Sequence, residues 1–399
     1  MSDIQLPASG SYVSSIRESS QKLCQASQIS IRNESIERLL LSNAFKSTYD
    51  RLTTLPGVAL PLNFASPLDE LNLLSILALL SFGSSYDAPV REQTGHGAFN
   101  AIRALVFSMY ITSTPSEGDH LSAEGMKAMS SSKVAELMGV NMHVEKPHDT
   151  IPGVVLGSLE GPVFDFVQLV TGVLHETGAV LLDAGYPNLG FLVVEALKEG
   201  EKAKSSAHPD ADIDIVIERL ARALPAFRDM TIVDGDPVYI FSKAIYLLNV
   251  IHTRFGSKSP SPFPVPGVQN LPISADGANS SLLLHLDILD LSLSPSMATI
   301  SSSIVSDEAT VKSLLDQSNE GAQAQVREGV LLDLQQAYRL RAAVVTACER
   351  FPEVAKNLLE GLTLDITVPR INVWLQSIQK ERSDYRAFGA IVAKDHVFF

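Results

Sequence analysis

Pro225-Ala-Phe-Arg-Asp-Met230 runs through Thr-Ile-Val to Asp234-Gly235, then through Asp-Pro-Val-Tyr-Ile240 into Phe241-Ser-Lys-Ala-Ile-Tyr-Leu-Leu-Asn-Val-Ile251. An Asp-Gly pair adopts the positive φ angles of a tight turn, so weakly alternating residues on either side predict one small hairpin over 230–241. The apolar spacing beyond it predicts a helix over 243–255. A loop over 257–272, Ser-Lys-Ser-Pro-Ser-Pro-Phe-Pro-Val-Pro at its core, leads to Ile273-Ser-Ala-Asp276 and a second helix over 280–289. On the N-terminal side, Ile213, Val216, Ile217, Leu220 and Leu224 repeat at helical spacing. Asp210 or Asp212 can cap that helix, and Pro225 stops it.

The same helical period recurs elsewhere. Val163, Phe166, Val167, Val170, Leu174 and Leu181 form a stripe behind Pro162, a residue suited to a first helical turn. Leu334, Tyr338, Ala342, Val345 and Cys348 form another, and further helices are expected over 32–48, 68–81, 97–110 and 369–383. The expected fold is therefore mainly α, a compact multi-helix structure with at most a small β-hairpin. Loops are expected over 146–158 and 293–327, the latter a mobile surface insertion in a single domain spanning 1–399.

The chain has 399 residues, 45% of them apolar, so it can bury a large core. Its longest apolar run, Leu71 to Phe82, is broken by Asn72 and Ser75 and falls short of the roughly 20 residues a membrane span needs. A net charge of −14 opposes a direct, non-specific grip on nucleic acid, which requires a basic stripe. Asp3, Arg17, Glu18 and Lys22 leave no readable targeting signal in the first residues, so a cytoplasmic or nuclear location is expected. Cys24 and Cys348 lack any Cys-x-x-Cys spacing and are expected to be reduced.

Several motifs carry too little of their pattern to support chemistry. Gly95-His96-Gly97 is followed by Asn100 where a dinucleotide loop has its third Gly. His143, His148 and Asp149 lack metal-ligand spacing, and His175-Glu176 lacks the second His of a zincin helix. No metal or cofactor is expected. Asp276 stands at a loop-to-helix junction in apolar sequence, where a carboxylate is either an N-cap or a catalytic group. Asp229 is either a structural partner of Arg228 or a site residue.

Taken in order, Ser15-Ile-Arg-Glu-Ser19, Leu174-His-Glu-Thr-Gly178, Phe227-Arg-Asp229, Val238-Tyr-Ile-Phe-Ser-Lys-Ala244, Ala275-Asp276 and Val397-Phe-Phe399 resemble the queuosine salvage family over nearly the whole chain. These are queuosine 5'-phosphate N-glycosylases. The resemblance implies an all-helical fold similar to DNA glycosylases and hydrolysis of a nucleoside 5'-monophosphate to release queuine, a 7-deazaguanine base reused in tRNA modification. Asp276 matches the family carboxylate, which would stabilise oxocarbenium character on the sugar or activate the attacking water. Phe82, Phe227, Phe241 and Trp374 are candidates to stack on the base, each with core packing as the alternative. Asp229 and Asn372 are candidate substrate contacts, and Lys243, Arg103 or Arg228 would bind phosphate.

The chain departs from the family at several points. Gly277, Ala278 and Asn279 replace the Tyr-Arg-x of the family's Ala-Asp-Tyr-Arg-x-Pro-Gln, and Ser242 and Lys243 occupy Lys and Arg positions. Asn372 and Ser377 fall where the family has paired Asp residues. The alternative expectation is a non-catalytic paralogue that keeps the fold as a nucleoside-binding or protein-interaction module.

Overall fold

A helix can begin where a side-chain oxygen accepts a first-turn N–H, and this chain repeatedly supplies one. Ser42, Ser66, Ser122, Ser130, Asp276, Asp307 and Asp333 each accept such a bond. In the computed structural model, helices take 62% of the chain and strands 8%, a mainly α fold. The structure describes residues 4–54, 60–114, 118–147, 150, 155–205, 208–298, 300, 307–316, 329–358, 364–389, 391–394 and 396–398.

The single domain expected over 1–399 resolves into two units. This suits a chain of this length, since single cores stop growing beyond roughly 250–300 residues. The first unit comprises Met1–Pro61, Leu197–Arg222 and Arg228–Ala393, and the second Leu62–Ala196, Ala223–Phe227 and Lys394–Phe399.

The first unit is organised on the helix Leu334–Asn357, which opens with a reciprocal capping box between Asp333 and Gln336. The helices Tyr12–Ala26, Asn33–Leu41, Gly277–His285 and Val368–Glu381 pack against it. Ser11 makes no side-chain cap for Tyr12–Ala26. That role passes to Asp214, whose Oδ1 accepts the Val13 N–H at 2.8 Å from the helix Ala211–Ala223. Arg228 closes the other end of Ala211–Ala223, donating from Nε to the Ala221 carbonyl and from Nη2 to that of Arg222, each at 2.8 Å.

The expected hairpin is present, with Met230–Val233 antiparallel to Asp236–Tyr239. Asp234 and Gly235 have φ of 51° and 87°, the positive pair that brings such strands back with the right twist. Among the described residues, three other two-stranded pairings accompany it. In the first unit Ser30–Ile31 pairs antiparallel with Leu289–Asp290, and Val330–Leu332 pairs parallel with Ile391–Ala393. Ile391–Ala393 runs so close to the helix Gly277–His285 that a Cβ on Gly277 would lie 2.0 Å from the Ile391 carbonyl oxygen, so only glycine fits there.

The described part of 293–327 mixes exposed residues, Leu293 among them, with buried ones such as Met297 and Ile300. It includes the helix Glu308–Leu315, whose Val311 and Leu314 are buried, and the Tyr385 hydroxyl donates to the Leu314 carbonyl at 2.7 Å. The remainder of that expected insertion lies outside the described residues.

In the second unit the helix Pro67–Leu79 is buried on nearly every side from Glu70 on, as its mostly apolar sequence requires. Asn72 sits inside it at little cost because both ends of its amide are used: Nδ2 donates to the Leu121 carbonyl, and Oδ1 accepts the Gly190 N–H. Ser75 turns its hydroxyl back to the Leu71 carbonyl. Gly178 lets Pro162–Asp183 cross the helix Ala123–Ala128 closely, since a Cβ there would lie 2.5 Å from the Ala123 oxygen. Residues at both ends of the loop expected over 146–158 join strands, His143–Pro147 pairing antiparallel with Val155–Leu159. Among the described residues no single helix is long and apolar enough to cross a membrane.

Candidate functional site

Asp229 lies just before the hairpin and is fully buried in the first unit. Its carbonyl accepts the N–H groups of Ile240 and Phe241, and its Oδ2 accepts that of Ser242, so the returning strand folds over it. This geometry places Phe241 in the left-handed region at φ 49°, a costly conformation for a bulky side chain. The consequence is a sharp entry into the helix Ser242–Phe255 that directs Ser242 and Lys243 inward, where both are buried.

The partner of Asp229 is Arg341 on the helix Leu334–Asn357, not Arg228. Arg341 Nη1 and Nη2 donate to the two carboxylate oxygens at 2.8 and 2.5 Å, and the Tyr338 hydroxyl donates to Oδ1 at 2.9 Å. Arg341 also donates from Nε to the Ala275 carbonyl at 2.9 Å and from Nη2 to the Ser242 hydroxyl at 3.0 Å. The Ser242 hydroxyl in turn donates to the same Ala275 carbonyl at 3.0 Å. Three segments, at 229, 242 and 275, are thus tied to one guanidinium.

Asp276 follows that anchored carbonyl. It is the N-cap of Gly277–His285, and its Oδ1 accepts the Asn279 N–H at 2.7 Å. Capping and a place in the buried cluster therefore coincide. The residue keeps some solvent access, yet desolvation raises its pKa above the ordinary aspartate value. The Asn279 N–H, the Arg341 charge, the Ala278 N–H and the Lys380 charge pull in the opposite direction. On the far side of Ala275, Ser274 is held by neighbours: Asn279 Nδ2 donates to its carbonyl at 3.2 Å, and its hydroxyl donates to Asn372 Oδ1 at 3.4 Å.

Lys243 is 2% exposed, and burial brings its pKa down to about 7. Asp229 favours its charged form, while Arg341 opposes it. The cluster therefore holds one fixed ion pair together with a carboxyl and an amine whose ionisation is moved toward the neutral range.

The remaining predicted residues divide. Phe241 packs in the first unit against Tyr12 and Tyr239, with ring centroids 5.5 and 6.0 Å away. Trp374 is fully buried against Phe45 and Tyr385 and donates from Nε1 to the Thr48 hydroxyl at 2.9 Å, which makes it core. Phe82 and Phe227 are buried in the second unit, Phe82 edge-on to Phe166. Of the phosphate candidates, Arg228 caps a helix, and Arg103 in the second unit lies over the Phe107 ring. His175, within Leu174-His-Glu-Thr-Gly178, bonds through Nε2 to the Met129 carbonyl at 2.5 Å, so that motif serves helix packing.

Two clefts, of about 670 and 640 Å³, open elsewhere. Gln5, Leu6, Arg222, Arg228 and Met230 help to line the first, and Asp165, Glu176, Pro225 and Phe398 the second. Neither is lined by Asp229 or Asp276. The convergence of buried charged groups, rather than cleft size, is what marks the Asp276 cluster.

Sequence reasoning missed Arg341. Its signal was present, because it lies three residues after Tyr338 and four before Val345, on the face assigned to the apolar stripe. No protein-family model matches the chain, and no curated protein matches its sequence.

Proposed function

We propose that this chain is an N-glycosidase that hydrolyses queuosine 5'-phosphate, or a related nucleoside 5'-monophosphate, to release queuine for salvage into tRNA modification. The reading rests on the ordered resemblance to the queuosine salvage family. The observation that carries it is Asp276: a desolvated carboxyl, on a residue that keeps some solvent access, backed by a buried guanidinium. In the reaction the bond from C1' to the base breaks and a water oxygen bonds to C1'. One water proton goes to the departing base. Ionised Asp276 would stabilise positive charge on the sugar or accept the water proton before it is passed on. A deazapurine has no N7 to protonate, so the base would be held by its other polar edges. We assign this activity to the cytoplasm, with the nucleus as the alternative.

A specific observation favours a second reading. Asp276 serves as a helix cap and Asp229 is committed to Arg341, an arrangement also expected of a non-catalytic paralogue that binds a nucleoside or a protein. Incubation with queuosine 5'-phosphate and chromatographic detection of free queuine separates the two. Release by the wild type and none by Asp276→Asn supports the enzyme. Equal release by both, or none by either, defeats it. Inosine and guanosine monophosphates belong in the same assay, because the departures at Ser242, Lys243 and Ala278 bear on base and phosphate recognition.

A further inference from the structure

We propose that Arg341 is a positioning residue for Asp276, fixing the Ala275-Asp276 peptide through the Ala275 carbonyl and supplying a buried positive charge that favours the ionised carboxyl. The inference rests on the glycosidase reading and gives Arg341 a role in it. Arg341 is fully buried and comes from a helix remote in sequence, so nothing local to Asp276 would make this contact. The forked guanidinium suits this role, because two of its donors hold Asp229 and fix its plane while Nε is aimed at the Ala275 carbonyl. Ser242 braces that carbonyl a second time. Ser274 is held independently on the other side, so the main chain entering Asp276 has little freedom.

The charges acting on Asp276 are those of Arg341 and of Lys380 on Val368–Glu381. Arg341 itself faces Asp229, Tyr338 and Lys243. Removing only Arg341 strands a buried Asp229 carboxylate, so the fold-preserving test removes both charges at once in Asp229→Asn/Arg341→Met. Arg341→Lys is the companion variant; it keeps the charge and lacks the fork that reaches Asp229 and Ala275 together.

The experiment follows the Asp276 carboxyl by carbon-detected NMR across pH and measures kcat and KM for queuosine 5'-phosphate. In the folded double variant the Asp276 titration is expected to move up, because the Arg341 charge acts on this carboxyl more strongly than that of Asp229, which is lost with it. In Arg341→Lys, kcat is expected to fall at least about tenfold with KM within about twofold, the mark of misplacement rather than lost binding. A folded double variant in which Asp276 titrates at the wild-type pH overturns the inference. Should the wild type release no base, the proposed function falls, and the titration alone still decides the role of Arg341.

Discussion

The guanidinium of Arg341 grips both carboxylate oxygens of Asp229, with neither side chain exposed to solvent. Desolvation of such a pair offsets much of its Coulombic attraction, so the pair as a whole adds little stability, whereas losing one member leaves a buried charge uncompensated. Asp229→Ala or Arg341→Met alone is therefore expected to destabilise the protein by about 3–5 kcal/mol, and Asp229→Asn/Arg341→Met by clearly less. Urea denaturation of the three variants checks this. Equal losses in singles and double would show that the charges do not act as a pair.

Asp276 is a helix cap and the proposed catalytic carboxyl, and substitution can separate the two. Asn is as good an N-cap as Asp, while Ala loses the bond to the Asn279 N–H. Asp276→Asn is expected to keep wild-type stability and lose base release, and Asp276→Ala to lose base release and about 1 kcal/mol. Thermal unfolding beside the queuine assay reads both. Retained release in a stable Asp276→Asn protein would leave the residue as a cap alone.

The same carboxyl makes a pH prediction. Burial raises the Asp276 pKa above 3.8, so the ionised form that the proposed reaction needs appears only at higher pH than for an ordinary aspartate. The acid limb of kcat/KM is expected to lie above pH 3.8 and to be missing from any residual activity of Asp276→Asn. For stability the sign is opposite. The folded state favours the protonated carboxyl, so ionisation subtracts stability as pH rises from the unfolded to the folded pKa.

The helices were legible because their apolar faces repeat over several turns, and the Asp234-Gly235 hairpin because two residues suffice to specify its turn. The short strand pairs 30–31 with 289–290 and 330–332 with 391–393 were not legible, since each joins segments far apart in sequence through few main-chain bonds. At the candidate site, Asp229, Lys243, Asp276 and Asn372 could be picked out as residue types. Their common anchor could not, because Arg341 contributes through a helix whose other inward residues announce only packing. Trp374 shows the converse: an isolated Trp suggests a stacking platform, and its Nε1 bond to Thr48 places it in the core.

Gly277 carries a steric prediction that does not depend on function. A Cβ there would meet the Ile391 carbonyl oxygen at 2.0 Å, main chain against main chain, so neither side can yield by rotating a side chain. Gly277→Ala is expected to cost about 1–3 kcal/mol by forcing apart the helix start and the strand Ile391–Ala393. The ordinary gain from Gly to Ala at a helical position is much smaller than this clash. A rise in melting temperature for the variant would contradict the close approach.

Lys243 gives the last prediction, on stability against pH. Its pKa is about 7 in the folded protein against 10.5 for an ordinary lysine, so between these values the unfolded chain binds a proton that the folded chain does not. Folding stability should therefore rise with pH across that window, while the cost of burying the charged amine applies in full below about pH 7. Tyr49, Tyr338 and Tyr385 act in the opposite sense above pH 10, because burial holds their hydroxyls protonated in the fold after they ionise in the unfolded chain. Denaturant midpoints between pH 7 and 8 isolate the lysine, because Cys24 and Cys348, whose thiols burial holds protonated in the fold, oppose the rise only nearer pH 9, where they ionise in the unfolded chain. Lys243→Met, which keeps the length of the side chain without its charge, should flatten the wild-type rise over that range. It should also be the more stable protein at pH 6, where wild-type Lys243 is charged and buried.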